Sequence, residues 1–201
     1  MRYKPAMGTL NPARVLTIAG SDSGGGAGVQ ADIKTITALG AYAATALSAV
    51  TVQNTVGVRG IHAVPTDVIA AQIECVLDDI GTDAIKTGML GGVAAVRAVT
   101  DVLKRKASGI PLVVDPVMVA KGGASLLADD AVATLRETLL PLATLLTPNT
   151  PEAERLTARS VGSEADQVAV GKALLAMGAK AVLVKGGHMA GDIVADALVT
   201  N

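Results

Sequence analysis

Short apolar runs alternate with stretches of helical period along most of this chain, and that alternation leaves few folds open. The strand-like run RVLTIAG at 14–20 leads through a glycine-rich turn to a helix near 28–39, whose Val29, Ile33 and Ile36 share one face. The stretch TALSAVTVQNTVGVRGIHAV reads as two strands broken at Asn54 to Gly57, where Asn and Gly supply turn chemistry. A helix is signalled after Pro65 by Thr66 and Asp67 at its start, with Ile69, Ile73, Val76, Leu77 and Ile80 along one side. Then come AIKTG at 84–88 as a strand, a helix near 92–106, and PLVVDP at 111–116, whose unbroken apolar character suits a strand buried on both faces. A helix near 129–139 carries Val132, Leu135 and Leu139, LATLLTPN is a strand, and PEAERL starts a short helix with proline in its first turn. A helix near 164–177, the strand AVLVKGG and a last strand IVADALVT at 193–200 close the series.

Strand and helix in alternation predict an α/β fold with a mostly parallel sheet and helices on both faces. A (β/α)₈ barrel competes, but it takes about 250 residues and about eight uninterrupted units. The early strand pair breaks the series, which favours the open sheet. With 201 residues, 50% of them hydrophobic and 17% charged, the chain suits one domain with a sizeable core, after a short tail at 1–13. The formal net charge is −1 and no stripe of Lys or Arg is present, so nucleic acid is not an expected partner. No run long enough to span a bilayer is free of both charge and glycine, no signal peptide is supported, and the single Cys75 cannot form an internal disulfide. A reducing cytoplasm is the compartment these features suggest.

Ligands of open parallel sheets gather where strands end and helices begin. In AGSDSGGGAGVQAD, residues 19–32, glycines would let the backbone approach a ligand and leave amides pointing at it before a helix. The Lys of a P-loop is lacking. Gly26, Gly28 and Ala31 fit GxGxxA, but the acid expected about twenty residues later in a dinucleotide fold is absent. Asp32 is placed in the first turn of the helix, where the helix dipole favours an acid whatever its function. Gln53 ends an apolar strand with an amide that could pair with an aminopyrimidine edge, or merely cap a turn. VVDPVMVAKGG at 113–123 sets Asp115 at a strand end before a small apolar wall, Lys121 and two glycines. In TPNTPEAERL, Asn149 and Glu152 stand three apart across a strand-to-helix junction, a spacing that would also simply start a helix. Lys185 ends a strand before two glycines and is a candidate phosphate contact. His62 and His188 have no metal-ligand spacing, and Cys75 reads as a small buried side chain on the apolar side of its helix.

In order, GSDSGGGAGVQADIKT, TVQN, IKTGML, VVDPVMVAKGG, TPNTPEA and VLVKGGH run from Gly20 to His188. Together they resemble the hydroxymethylpyrimidine/phosphomethylpyrimidine kinases of thiamine biosynthesis, within the ribokinase-like superfamily, and the likeness extends over residues 14–188. The resemblance implies a three-layer α/β fold and ATP- and Mg²⁺-dependent phosphorylation of 4-amino-5-hydroxymethyl-2-methylpyrimidine and then of its monophosphate. It implies pyrimidine contacts at Gly20, Asp32 and Gln53, with Met89 and Val117 as apolar walls. Asp115, Asn149 and Lys185 would lie on the nucleotide and phosphate side, and Glu152 near Mg²⁺ through water. A small-molecule pyrimidine is the implied partner, with a homodimer as the assembly. Members of this family continue past the last strand into a Gly-Thr-Gly-Cys segment that carries the anion hole and the catalytic Cys. That segment does not occur within residues 1–201, so the catalytic Cys is expected beyond Asn201 and no catalytic residue is assigned. The kinase domain at 14–201 is accordingly expected to be incomplete and its activity impaired. Two alternatives stand beside this reading: a pyridoxine or pyridoxal kinase, and a non-catalytic pyrimidine-binding module.

Overall fold

The computed structural model describes residues 12–118, 128–188 and 193–200. Most of the tail, the Lys121 to Gly123 stretch and Asn201, the residue beyond which the catalytic Cys is expected, lie outside the described residues. The strands are β1 (Arg14–Ala19), β2 (Tyr42–Leu47), β3 (Ala49–Gln53), β4 (Val58–Ala63), β5 (Ala84–Thr87), β6 (Leu112–Val114), β7 (Leu145–Leu146), β8 (Ala181–Val184) and β9 (Ala197–Thr200). The helices are α1 (Gly28–Ala38), α2 (Thr66–Asp79), α3 (Val93–Lys106), α4 (Asp129–Thr134), α5 (Thr150–Thr157) and α6 (Glu164–Ala176).

Seven strands form one sheet in the order β2-β1-β5-β6-β7-β8-β9, all parallel except β9, while β3 and β4 form a separate antiparallel hairpin. The expected open sheet is therefore present. From β1 the chain moves outward to β2, then crosses back to β5 and runs the other way. Right-handed crossovers then place α1 on one face and the later helices on the other. α1 packs on β1 and β2, while α2, α3 and α4 pack side by side. Arg105 on Glu74 at 2.8 Å and Lys106 on Asp78 at 2.7 Å tie α3 to α2.

The face under α2, α3 and α6 is the core, where Leu16, Ile18, Ile85, Leu112, Val114, Leu146, Val182 and Val184 are buried against Ile69, Ile73, Val96, Val99 and Leu174. Strand period 2 turns the intervening residues, among them Lys86, Val113, Leu145 and Leu183, to the α1 face, where they are half-buried. At the amino end of β1 and β5, Asp83 accepts from Arg14 N at 2.7 Å and Nη2 at 2.8 Å. These hydrogen bonds hold the Asp83 carboxyl down at about 2.

Several expectations need correction. The TAL of the second stretch belongs to β2, a sheet strand in its own right, so the expected pair is really three strands. In α1 only Val29 is buried, while Ile33 is exposed, because this helix covers just the β1–β2 edge. The helix near 129–139 is α4 followed by a π-helical turn at Leu135–Leu139 and a 3₁₀ turn containing Pro141. There Thr134 and Thr138 bond back to the carbonyls of Asp130 and Thr134, which loosens the α ladder. The helix at PEAERL starts one residue early, at Thr150, and the last strand is confined to Ala197–Thr200. Cys75 is exposed, because two residues past the buried Ile73 a helix has turned to its other side.

Ile85, buried at the centre of the sheet, tests this packing. Ile85→Ala should destabilise the chain by about 2–5 kcal/mol, read as a lower urea midpoint with an unchanged slope; an unchanged midpoint would place β5 outside the core.

Candidate active site

The reversal of winding at β1 puts a crevice at the carboxyl ends of β1 and β5, the place where open α/β sheets bind ligands. A cavity of about 320 Å³ occupies it, lined among others by Gly20, Asp32, Gln53, Lys86, Met89, Asp115 and Val117. A larger groove, about 510 Å³, lies at the amino ends of the strands beside Ser108, Pro111 and Lys180. The smaller cavity is the better site, since it gathers the strand-end polar residues whereas the larger one is lined chiefly by turn and core side chains.

The glycine-rich loop differs from its expected form. Asp22, only 5% exposed, accepts from the amides of Gly24 at 2.8 Å, Gly26 at 3.0 Å and Ala27 at 2.8 Å. Its own amide donates to Gln30 Oε1 at 2.8 Å. Amides expected to face a ligand are thus taken by the loop's own carboxylate, and no side chain caps α1. Gly28 begins α1 at φ +56°, and a Cβ there would run into the Gly20 carbonyl, so this position requires glycine.

The hairpin is stitched to the same loop. Ser21 N donates to Ala49 O at 2.8 Å, and Thr51 Oγ1 donates to Ser21 O at 2.8 Å. Ser23 Oγ accepts from Gln53 N at 2.8 Å and donates to Gln53 O at 2.6 Å. A register shift between Val52 and Gln53 re-aims the end of β3, as bulges do. The Gln53 backbone is therefore fixed, while the residue lines the cavity and its side-chain amide has no hydrogen-bond partner among the described residues.

Asp32 lies in the second turn of α1, not the first, so the helix dipole does not explain it. Its carboxylate accepts from Thr17 Oγ1, and from Lys86 Nζ at 3.0 Å to each oxygen. Thr17 and Lys86 are register partners on β1 and β5, so both point to the α1 face where Asp32 descends. Neither Lys86 nor Asp22 stands out in the sequence. The available signals are a lysine inside the apolar strand AIKT, and an acid just ahead of a glycine run.

Strand period brings the remaining residues to the same face. Asp115, Thr147 and Lys185 stand just past β6, β7 and β8, in step with Val113, Leu145 and Leu183. Lys185 Nζ donates to Asp115 Oδ1 at 2.9 Å, and Thr147 Oγ1 donates to it at 3.3 Å. Asn149 and Glu152 form a capping box: Asn149 Oδ1 accepts from Glu152 N and Glu152 Oε2 accepts from Asn149 N, both at 2.9 Å. The helix-start role is thus real. It also fixes a buried carboxylate beside Asp115 and Lys185. Burial pushes the Glu152 carboxyl up, the Asn149 amide opposes that rise, the Asp115 charge adds to it, and Lys185 lowers it. Asn149 and Glu152 sit behind the cavity rather than in its lining, joined to it through the Asp115–Lys185 pair. His62 and His188 are exposed, and no cluster of His, Cys, Asp or Glu among the described residues forms a metal cage.

The phosphomethylpyrimidine kinase family model matches residues 22–201. The chain belongs to the phosphomethylpyrimidine kinase family. The hydroxymethylpyrimidine/phosphomethylpyrimidine kinase of Mycobacterium tuberculosis is 53% identical over 190 residues, covering 94% of this chain and 69% of that relative. The crystal structure of phosphomethylpyrimidine kinase from Clostridium difficile superposes with a TM-score of 0.87 at 43% identity, over 94% of this chain and 80% of that one. Bacillus subtilis pyridoxal kinase in an ADP complex gives 0.86 at 38% identity, over 94% and 72%. Of the residues singled out in the sequence, Gly20, Asp32, Gln53, Met89, Asp115 and Val117 line the switch-point cavity, while Asn149, Glu152 and Lys185 lie outside that lining.

Two measurements test the site's frame. Asp22→Ala should destabilise the chain by at least about 1.5–3 kcal/mol and speed hydrogen exchange at Gly24, Gly26 and Ala27; unchanged exchange would show that the carboxylate does not hold the loop. For Glu152, a raised folded pKa means that the native state keeps its proton longer than the unfolded chain. Wild-type stability should fall as pH rises from the ordinary glutamate range through the raised value. Glu152→Gln should lack this slope, and parallel pH–stability profiles for the two proteins would contradict the assignment.

Proposed function

We propose that this chain transfers the γ-phosphoryl group of ATP to the hydroxymethyl oxygen of 4-amino-5-hydroxymethyl-2-methylpyrimidine, and then to the resulting monophosphate. In the first transfer the alcohol oxygen bonds to the γ-phosphorus as the bond to the β-phosphate oxygen breaks, ADP departs and the hydroxyl proton is released. The observation that carries the reading is the Gln53 amide, backbone-fixed and unpartnered among the described residues, in one cavity with the apolar Met89 and Val117. An amide offers both an acceptor for the exocyclic amine and a donor for a ring nitrogen. Gly20 leaves room for the Met89 methyl, which occupies the place a Cβ would take, and Asp32 lines the same cavity.

Phosphoryl transfer depends on positioning and on neutralising charge. Lys185, paired to Asp115 at the rim, supplies a cation for the phosphates, and Asn149 holds the helix start beside it. Mg²⁺ in such sites keeps several waters and is bound by one or two carboxylates plus phosphates. Asp115 and Glu152 would hold it through water, where it would offset charge on the phosphates. No helix among the described residues is long and apolar enough to cross a membrane. We place the protein in the cytoplasm as a homodimer that covers Val50 and Val52, both exposed on one face of the hairpin.

The likeness to pyridoxal kinase keeps a second alcohol in play, since that ring also fits an apolar slot. Pyridoxal lacks the exocyclic amine that would use the Gln53 amide oxygen. In a competition assay with ATP and Mg²⁺, the aminopyrimidine alcohol should be the preferred acceptor, and Gln53→Ala should weaken its binding by about 1–3 kcal/mol without unfolding the chain. Preference for pyridoxal, or unchanged aminopyrimidine affinity in the variant, would overturn the reading.

A further inference from the structure

Lys86 lies in the cavity wall, and the reading above gives it no task. A lysine on a central strand is costly to bury, and the side chains of Lys86 and Asp32 are only 25% and 18% exposed. An ion pair of this kind is weak evidence of stabilisation, since apolar residues of similar volume commonly serve as well. The backbone nonetheless makes room for the ammonium: a Cβ on Gly88 would stand 3.1 Å from Lys86 Nζ.

The charges around the cavity give the ammonium a purpose. Asp22, Asp32 and Asp115 are lining acids, and Lys86 is the one cationic residue among the described residues that line it. Lys185 reaches Asp115 from outside that lining and is held there. The first substrate of the proposed reaction is a neutral alcohol, whereas the second carries a phosphate with close to two negative charges at neutral pH. A wall of carboxylates would repel that second substrate.

We propose that Lys86 determines acceptance of the phosphorylated pyrimidine, resting on Asp32 while the alcohol is bound and donating to the phosphate oxygens of the monophosphate. This rests on the function proposed above. The stem of Lys86 is fixed by β5, which pairs with β1 on one side and β6 on the other. Its four-carbon chain lets the ammonium move, and a lysine has three donors to share. Asp32 competes with the phosphate for them.

The test is the ratio of calorimetric affinities for the monophosphate and the alcohol, since the shared ring contacts cancel in that ratio. Lys86→Met should lower the preference for the monophosphate at least tenfold. Asp32→Asn removes the competitor and should raise it, while the double variant Asp32→Asn/Lys86→Met should fall at least tenfold below Asp32→Asn. The double variant leaves no unpaired charge, so this comparison decides the matter even where Lys86→Met alone does not fold. A merely structural lysine would weaken both ligands alike, and an equal ratio in Asp32→Asn and the double variant overturns the proposal. If the unmodified chain binds neither ligand, the proposed function fails first and this inference with it.

Discussion

Asp22 carries a charge into a nearly closed position, and three backbone amides of the following loop turn inward to meet it. Those contacts curl the loop into one shape and deliver the chain into α1 with Gly28 against the Gly20 carbonyl. The hairpin is then fastened to that loop through Ser21, Ser23 and Thr51. One carboxylate thus sets where Gln53 stands, although it lies in a different element.

The second constraint is the period of the strands. With the core on one face, every other residue of β5 to β8 must point to the α1 side, and one further step along carries Asp115, Thr147 and Lys185 to the rim. Lys86 belongs to the same series and meets Asp32 because Thr17 and Lys86 are register partners. The site is therefore a by-product of sheet geometry as much as of its loops. Its charges come in pairs, Lys86 with Asp32 and Lys185 with Asp115.

Much of this is legible from residues alone. The sheet, the helices over it and the turn at Asn54 to Gly57 follow from apolar period and turn chemistry, and Asp32, Gln53 and Asp115, read as strand-end and loop candidates, share one cavity with Gly20, Met89 and Val117, which the family resemblance added. What escapes is contact between distant segments. Asp22 looks like one polar residue in a glycine-rich turn, because nothing local says that a carboxylate will gather the amides behind it. Lys86 reads as part of a strand and not of a site, and Asp32 invites explanation by a helix dipole that its place in the second turn does not feel. Cys75 falls on the other side of its helix from the one expected, because apolar neighbours in sequence are not neighbours in space.

Among the cavities formed by the described residues, two lie at opposite ends of the parallel strands. Backbone amide NMR shifts recorded while 4-amino-5-hydroxymethyl-2-methylpyrimidine is titrated into the chain separate them directly. The account predicts saturable shifts at Gly20, Gln53, Gly88 and Val117, with Ser108, Gly109 and Lys180 unmoved. Shifts confined to Ser108, Gly109 and Lys180 would contradict it and move the site to the opposite pole of the sheet.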